Sequence, residues 1–242
     1  MKKLLFLCLL PLGLAAADIY MAGDSTMCKY SEKIAPRAGW GMAMQKKCKP
    51  GTTVFNYAGG GHSTMSFITA KRWENIRKVA KKGDFIIIQF GHNDGHRGEK
   101  NRHRTTFPEN TYKTYLQLYV QEARNIGMIP VLCTQTALWR FRDGKVFNTP
   151  MAESYIKACR EVAENMKCDL IDINAAALEK LTAQGKDAAA KNFMILKPGE
   201  HKNYPEGKKD IIHLSETGAD FYAQLFVDLA KKQKLSIAQL FK

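Results

Sequence analysis

The sequence predicts a three-layer α/β/α fold built on a parallel five-stranded sheet. Short apolar runs rich in β-branched residues alternate along the chain with longer segments of helical periodicity, the rhythm of strand, crossover and strand. The run Phe85-Ile86-Ile87-Ile88 has no polar alternation and therefore reads as a central strand covered on both faces. The most unusual polar residues collect directly after the strands, where doubly wound sheets carry their sites.

The chain begins with Lys2 and Lys3, an apolar run over residues 4–14, and Ala15-Ala16-Ala17 before Asp18. That order is the pattern of a secretory signal peptide, with cleavage expected near Ala17. Cys8 lies inside the apolar run without the small residues that precede a lipoprotein cysteine, so no lipid anchor is expected. The product should be secreted or periplasmic, with one domain over residues 18–242, because no linker-like stretch interrupts it. After the leader nothing approaches the roughly 18 uninterrupted apolar residues of a membrane span, so stable membrane insertion is not expected.

Strands are expected over residues 19–22, 53–57, 84–90, 129–134 and 169–173, each a short apolar run bounded by turn residues. Helices are expected over residues 65–81, 108–125, 150–166, 175–183 and 216–232, joined to the strands by right-handed crossovers. Within 108–125, Tyr112, Tyr115, Leu116, Tyr119, Val120 and Ala123 fall on one helical stripe, so these aromatics should face a core, not a ligand.

At 242 residues, 45% hydrophobic and 25% charged, the chain is not of the disordered, collagenous or coiled-coil class. Its net charge of +14 favours an acidic partner: nucleic acid, anionic lipid or acidic polysaccharide. Export makes nucleic acid the least natural of these, and the bland alternative is that surface lysine only maintains solubility. Export also permits disulfides, for which Cys28 with Cys48 and Cys159 with Cys168 are the plausible pairs, while Cys133 sits in an apolar strand. An odd count leaves at least one thiol free, and no CxxC spacing suggests zinc.

Gly23-Asp24-Ser25-Thr26 follows the first strand, Gly59-Gly60-Gly61-His62 the second, and Gly91-His92-Asn93-Asp94 the third. Asp210-Ile211-Ile212-His213-Leu214 precedes the last helix. In this order and at these places the four segments resemble the four blocks of the SGNH, or GDSL-like, hydrolases. GDSTM from Gly23, DFIIIQFGHND from Asp84, GMIPVL from Gly127, RFRDGK from Arg140 and DIIHLSETG from Asp210 are further similar to the rhamnogalacturonan acetylesterase-like carbohydrate esterases. The resemblance implies a flavodoxin-like sheet and a secreted enzyme that removes acetyl groups from a polysaccharide, with pectic rhamnogalacturonan favoured. The enzymatic alternatives are acetylated xylan, O-acetylated sialic acid or a lipid ester. The alternative of another class is a non-catalytic binder of anionic glycans.

A serine hydroxyl becomes nucleophilic when an imidazole takes its proton, and a carboxylate fixes the imidazole's tautomer. Ser25 is therefore expected as nucleophile, His213 as base and then acid, and Asp210 as its orienter. The G-x-S-x-G elbow of α/β-hydrolases is excluded by Met27 at its second glycine. The backbone N–H groups of Ser25 and Gly61 and the Asn93 amide are the candidate oxyanion donors, as the resemblance also implies. Asp24 and Asp94 are expected to support these residues through hydrogen bonds. Where the family commonly has Arg after its oxyanion glycine, this chain has His62. His62, Arg140 and Phe141 are the candidate substrate-binding residues. His92 and His96 share a face only on a helix, and Gly91 with Gly95 argues for a loop, so no metal is expected. No organic cofactor is expected either. The basic segment 95–104 is either a solvated run or an electropositive wall of the cleft.

Overall fold

The computed structural model describes residues 17–242, so the expected leader lies outside the described residues except for Ala17. The first half of the chain forms β1 (Ile19–Gly23), α1 (Gly41–Lys47), β2 (Val54–Asn56), α2 (Thr64–Thr69), α3 (Arg72–Arg77), β3 (Phe85–Gln89) and α4 (Thr111–Asn125). The second half forms β4 (Ile129–Cys133), β5 (Phe141–Arg142), β6 (Lys145–Val146), α5 (Pro150–Asn165), β7 (Asp169–Ile171) and α6 (Ile173–Gln184). It ends with α7 (Lys186–Ala190), β8 (Phe193–Leu196), β9 (Lys208–Leu214) and α8 (Glu216–Lys232).

One parallel sheet runs β2-β1-β3-β4-β7, the flavodoxin-like order. Its five strands agree with the expected runs to within two residues at each end. The order reverses between β1 and β3, so their carboxyl ends diverge and open the crevice in which such sheets place ligands. Alternate strand residues feed two separate cores. Ile19, Met21, Phe85, Ile87, Val131 and Ile171 pack under Met44, Leu181, Tyr222 and Phe226 of α1, α6 and α8. Tyr20, Ala22, Ile86, Ile88 and Leu132 pack under Phe67, Trp73, Tyr112 and Tyr155 of α2 to α5. The α4 stripe is buried except for Tyr115, which is half-buried.

Several features depart from the sequence expectation, the short β5–β6 hairpin and α7 among them. The helix expected over 65–81 breaks into α2 and α3 at Lys71, whose φ of 57° is left-handed. The break lets the Arg72 guanidinium reach the carbonyls of Tyr57 and Ala58, a tertiary anchor that no periodicity reports. Helix α1 was not expected, because its seven residues owe their place to burial of Gly41 and Met44 rather than to propensity. The antiparallel ribbon β8–β9 was not expected either, since β9 is mostly half-buried and carries charges. Finally, neither candidate disulfide forms: all five cysteines of the described residues are free thiols. Cys28, Cys48 and Cys168 instead donate to the carbonyls of Ser25, Met44 and Pro130.

Candidate active site

The end of β1 becomes a tight turn because Asp24 Oδ1 accepts from both the backbone N–H and the hydroxyl of Thr26, each at 2.8 Å. Glycine is required at position 23, where a Cβ would lie 2.9 Å from the Gln89 carbonyl of β3. The turn lifts Ser25 onto the carboxyl edge of the sheet. Its carbonyl is gripped by the Tyr30 hydroxyl at 2.7 Å, and the Arg37 guanidinium donates in turn to that hydroxyl at 2.9 Å.

His213 and Asp210 reach the same place from β9. Side chains three apart on a regular strand face opposite ways. Here the strand bulges: Met194 pairs with Asp210 and Phe193 with Leu214, so three residues of β9 loop out opposite a single step of β8. Asp210 Oδ1 holds the bulge by accepting from the backbone N–H groups of Ile212 and His213 at 3.0 and 3.1 Å. Its other oxygen lies 2.7 Å from His213 Nδ1, and His213 Nε2 lies 3.0 Å from Ser25 Oγ. Burial works to raise the Asp210 pKa, but the bonds from the His213 ring and the two backbone N–H groups prevail and hold it well below the usual carboxylate range. Asp210 is therefore the fixed negative end of a line of three groups through which a proton on Ser25 can pass to the imidazole.

Beside Ser25 stands the glycine turn after β2, where Gly61 is left-handed with φ 78°. Among the described residues the N–H groups of Ser25 and Gly61 donate to no other group. The buried Asn93 donates one amide proton to the His62 carbonyl at 2.9 Å and keeps the other free. These are three donors available to an oxygen that gains charge.

Asp94, directly after Asn93, ties the turn after β3 to its neighbours by accepting from the Thr64 N–H and from the hydroxyls of Thr64 and Thr106. Complete burial raises its pKa to about 7 in spite of these donors, and Asp24 adds to the rise. An unfolded aspartate titrates near ~3.9. The folded protein thus holds a proton that the unfolded chain has lost between about pH 4 and pH 7. The resulting stability is full below that window and is lost as pH rises through about 7, to the extent of several kcal/mol, roughly 4 at most. Urea unfolding of wild type and Asp94→Asn across pH 4–8 should show the balance moving toward the variant as pH rises. A gap independent of pH would contradict it.

The remaining sequence candidates are dispersed. His62 Nδ1 lies 3.3 Å from the Ser66 hydroxyl, and burial first, then the nearby Arg72 charge, lowers its pKa. His62 lines a hollow of about 420 Å³ with Gly60, Gly61, Ser66, His103 and Arg104. Arg140 and Phe141 begin the β5–β6 hairpin and form no hydrogen bond to Ser25, His213 or Asp210. Phe141 packs edge-on against Trp139 and onto the core, and the backbone N–H of Trp139 donates to the Ile211 carbonyl in the β9 bulge. The basic segment divides. Lys100, Arg102 and His103 are exposed, and so is Arg97, although it stacks on Phe107 and bonds the Asp94 carbonyl and Tyr155; Arg104 is half-buried. His92 lies in the turn over residues 92–95 and His96 directly after it, neither on a helix. Sequence reasoning did not find Tyr30, Arg37 or the inward role of Arg104, since a surface run and a folded-back arginine look alike before the chain is folded.

A serine, an imidazole and a carboxylate hydrogen-bonded in line, with backbone and amide donors beside them at the open edge of a flavodoxin-like sheet, define a serine esterase. The chain belongs to the GDSL-like lipase/acylhydrolase family, whose model matches residues 19–226. It is 34% identical to rhamnogalacturonan acetylesterase RhgT of Bacillus subtilis over 87% of this chain and 88% of that protein. It is 30% identical to the probable rhamnogalacturonan acetylesterase YesY of the same organism, over 93% and 97% of the two chains. Among solved structures, Bacillus subtilis YxiM superposes with a TM-score of 0.74 at 25% identity, covering 91% of this chain, which spans 57% of the YxiM chain. The acetylxylan esterase Axe2 of Geobacillus stearothermophilus shares the fold, with a TM-score of 0.61 at 18% identity over 89% of this chain and 94% of that one. Among the described residues no helix is long and apolar enough to cross a membrane.

Proposed function

We propose that this protein is an exported O-acetylesterase of acetylated rhamnogalacturonan, made with a leader through Ala17 and a single catalytic domain after it. The observation that carries the reaction is the unbroken line Asp210–His213–Ser25, at 2.7 and 3.0 Å. The substrate class rests on the two rhamnogalacturonan acetylesterase relatives, which match at 30% identity or more across nearly their whole lengths.

In this reading Ser25 Oγ attacks the acetyl carbonyl as His213 Nε2 accepts its proton. The carbonyl oxygen, now charged, is held by the N–H groups of Ser25 and Gly61 and by Asn93 Nδ2. His213 then protonates the departing sugar oxygen, leaving acetyl-Ser25. Water enters, gives a proton to His213 and attacks the acetyl group, and acetate leaves as the proton returns to Ser25. No cofactor takes part. His62, beside the Gly61 donor, and Arg140 and Phe141, on the hairpin tied to β9 through Trp139, are proposed to contact the polysaccharide. Acetate release across acetylated rhamnogalacturonan, acetylated xylan and a small neutral acetyl ester tests the assignment. Preference for xylan would move the protein to another substrate, and inertness on all three would make it a binding protein.

Cleavage after Ala17 removes Lys2 and Lys3 and no acid, so the formal net charge of +14 falls by two to +12, which leads to a separate expectation for an acidic polymer. Screening shortens electrostatic attraction to a range of about 8 Å at physiological ionic strength. Added salt should therefore raise KM on a uronic-acid polymer and leave a neutral acetyl ester unaffected. Equal sensitivity on both substrates would remove charge from recognition.

A further inference from the structure

One arginine of the basic segment, half-buried, folds back toward the candidate oxyanion donors. Arg104 is pinned by Asn101, whose Oδ1 accepts from Nε at 3.1 Å and from Nη2 at 2.7 Å. Asn101 is itself buried and donates to the Arg97 carbonyl at 2.7 Å, and Arg97 is fixed by Phe107, Tyr155 and Asp94. The guanidinium is thereby presented in one orientation. Its remaining nitrogen, Nη1, lies 3.3 Å from Asn93 Oδ1 and 3.4 Å from the Gly61 carbonyl. No carboxylate forms an ion pair with Arg104 among the described residues.

An asparagine amide has two nearly isosteric ends, and only one of them can donate to an oxyanion. At Asn93 the two neighbours decide which end points where. A guanidinium only donates, so it selects Oδ1; the His62 carbonyl only accepts, so it selects Nδ2. With one Nδ2 proton taken by His62, the other is left in a fixed direction for the substrate. An uncompensated positive charge on Oδ1 also polarises the amide and strengthens that N–H as a donor. The same Nη1 holds the carbonyl of Gly61, the residue whose left-handed backbone presents the neighbouring donor. Both contacts are long in the free enzyme, and contacts of this kind shorten when charge develops.

We propose that Arg104 is a positioning residue of the oxyanion site, setting the orientation and donor strength of the Asn93 amide and steadying Gly61. The proposal rests on the reading of Asn93 and Gly61 as oxyanion donors. Its test is a double-mutant cycle in the mature protein, with kcat and KM measured on a small neutral acetyl ester so that recognition of a charged polymer does not enter. Asn93→Ala alone should lower kcat by about 10² to 10³, the cost of one donor. Arg104→Met should lower kcat by about 10-fold or more, less than loss of the donor itself, with KM nearly unchanged. Added to Asn93→Ala, the same Arg104→Met change should cost no more than about 3-fold, because the group it positions is gone.

An equal loss in both backgrounds would mean that Arg104 only holds its loop, and full activity of Arg104→Met would mean that it does nothing for the reaction; either overturns the proposal. If Asn93→Ala itself keeps its kcat, the reading of the donors has failed and the proposal falls with it. Should Arg104→Met not fold, Arg104→Lys completes the cycle. Its single ammonium keeps the charge but cannot bond Asn101 and Asn93 together, and the same loss confined to the Asn93 background is required of it.

Discussion

Ser25→Ala should lower ester hydrolysis by about 10⁶-fold, the scale on which removal of a nucleophile from such a triad acts. The loss should appear in kcat on a small acetyl ester, and no acetyl-enzyme should accumulate. The fold should survive, because the Ser25 hydroxyl bonds only to His213 Nε2 among the described residues. The turn around it is held by Asp24 and Thr26 and by Tyr30 on the Ser25 carbonyl, none of which the substitution touches. An unchanged thermal midpoint with activity abolished is the expected pair of results. Appreciable turnover in the variant would remove Ser25 from the mechanism.

Asp210→Asn should cost about 10⁴ in kcat with little change in shape, through the tautomer of His213. The carboxylate makes two kinds of contact. Oδ1 accepts from the Ile212 and His213 backbone, which an asparagine oxygen does equally well, so the β9 bulge should persist. Oδ2 faces His213 Nδ1, and there an amide NH₂ can only donate. The ring must then accept at Nδ1 and carry its proton on Nε2, facing Ser25 with a proton where a base is needed. A loss smaller than about tenfold would show that Asp210 is a bulge-former alone.

Much of this was legible before folding. The five sheet strands are apolar runs whose length and β-branching leave no competing state, and α8 falls on the expected residues 216–232 because Ser215 caps its start by accepting from Gly218. Ser25, Asn93, Asp210 and His213 are polar residues beside apolar runs, but each segment is weak alone; they and Gly61 stood out through the joint resemblance of the four segments to the SGNH hydrolase blocks. The local order of β9 was not legible. A spacing of three between Asp210 and His213 suits neither a helix face nor a regular strand face for this purpose, and only a bulge against β8 reconciles it with the 2.7 Å contact.

Short-range patterning thus determined the strands, the layers and the residue types at the carboxyl edge, since burial of alternate faces leaves its period in the chain itself. The break at Lys71, helix α1, the free state of the cysteines and the inward turn of Arg104 were decided only in three dimensions. Arg72 leaves the helix axis to reach Tyr57 and Ala58, the thiols of Cys28, Cys48 and Cys168 donate to backbone carbonyls, and Arg104 folds back because Asn101 and Asn93 offer it oxygens. Each depends on a partner supplied by another segment of the folded chain, and a polar side chain carries no periodic mark of the partner it will find.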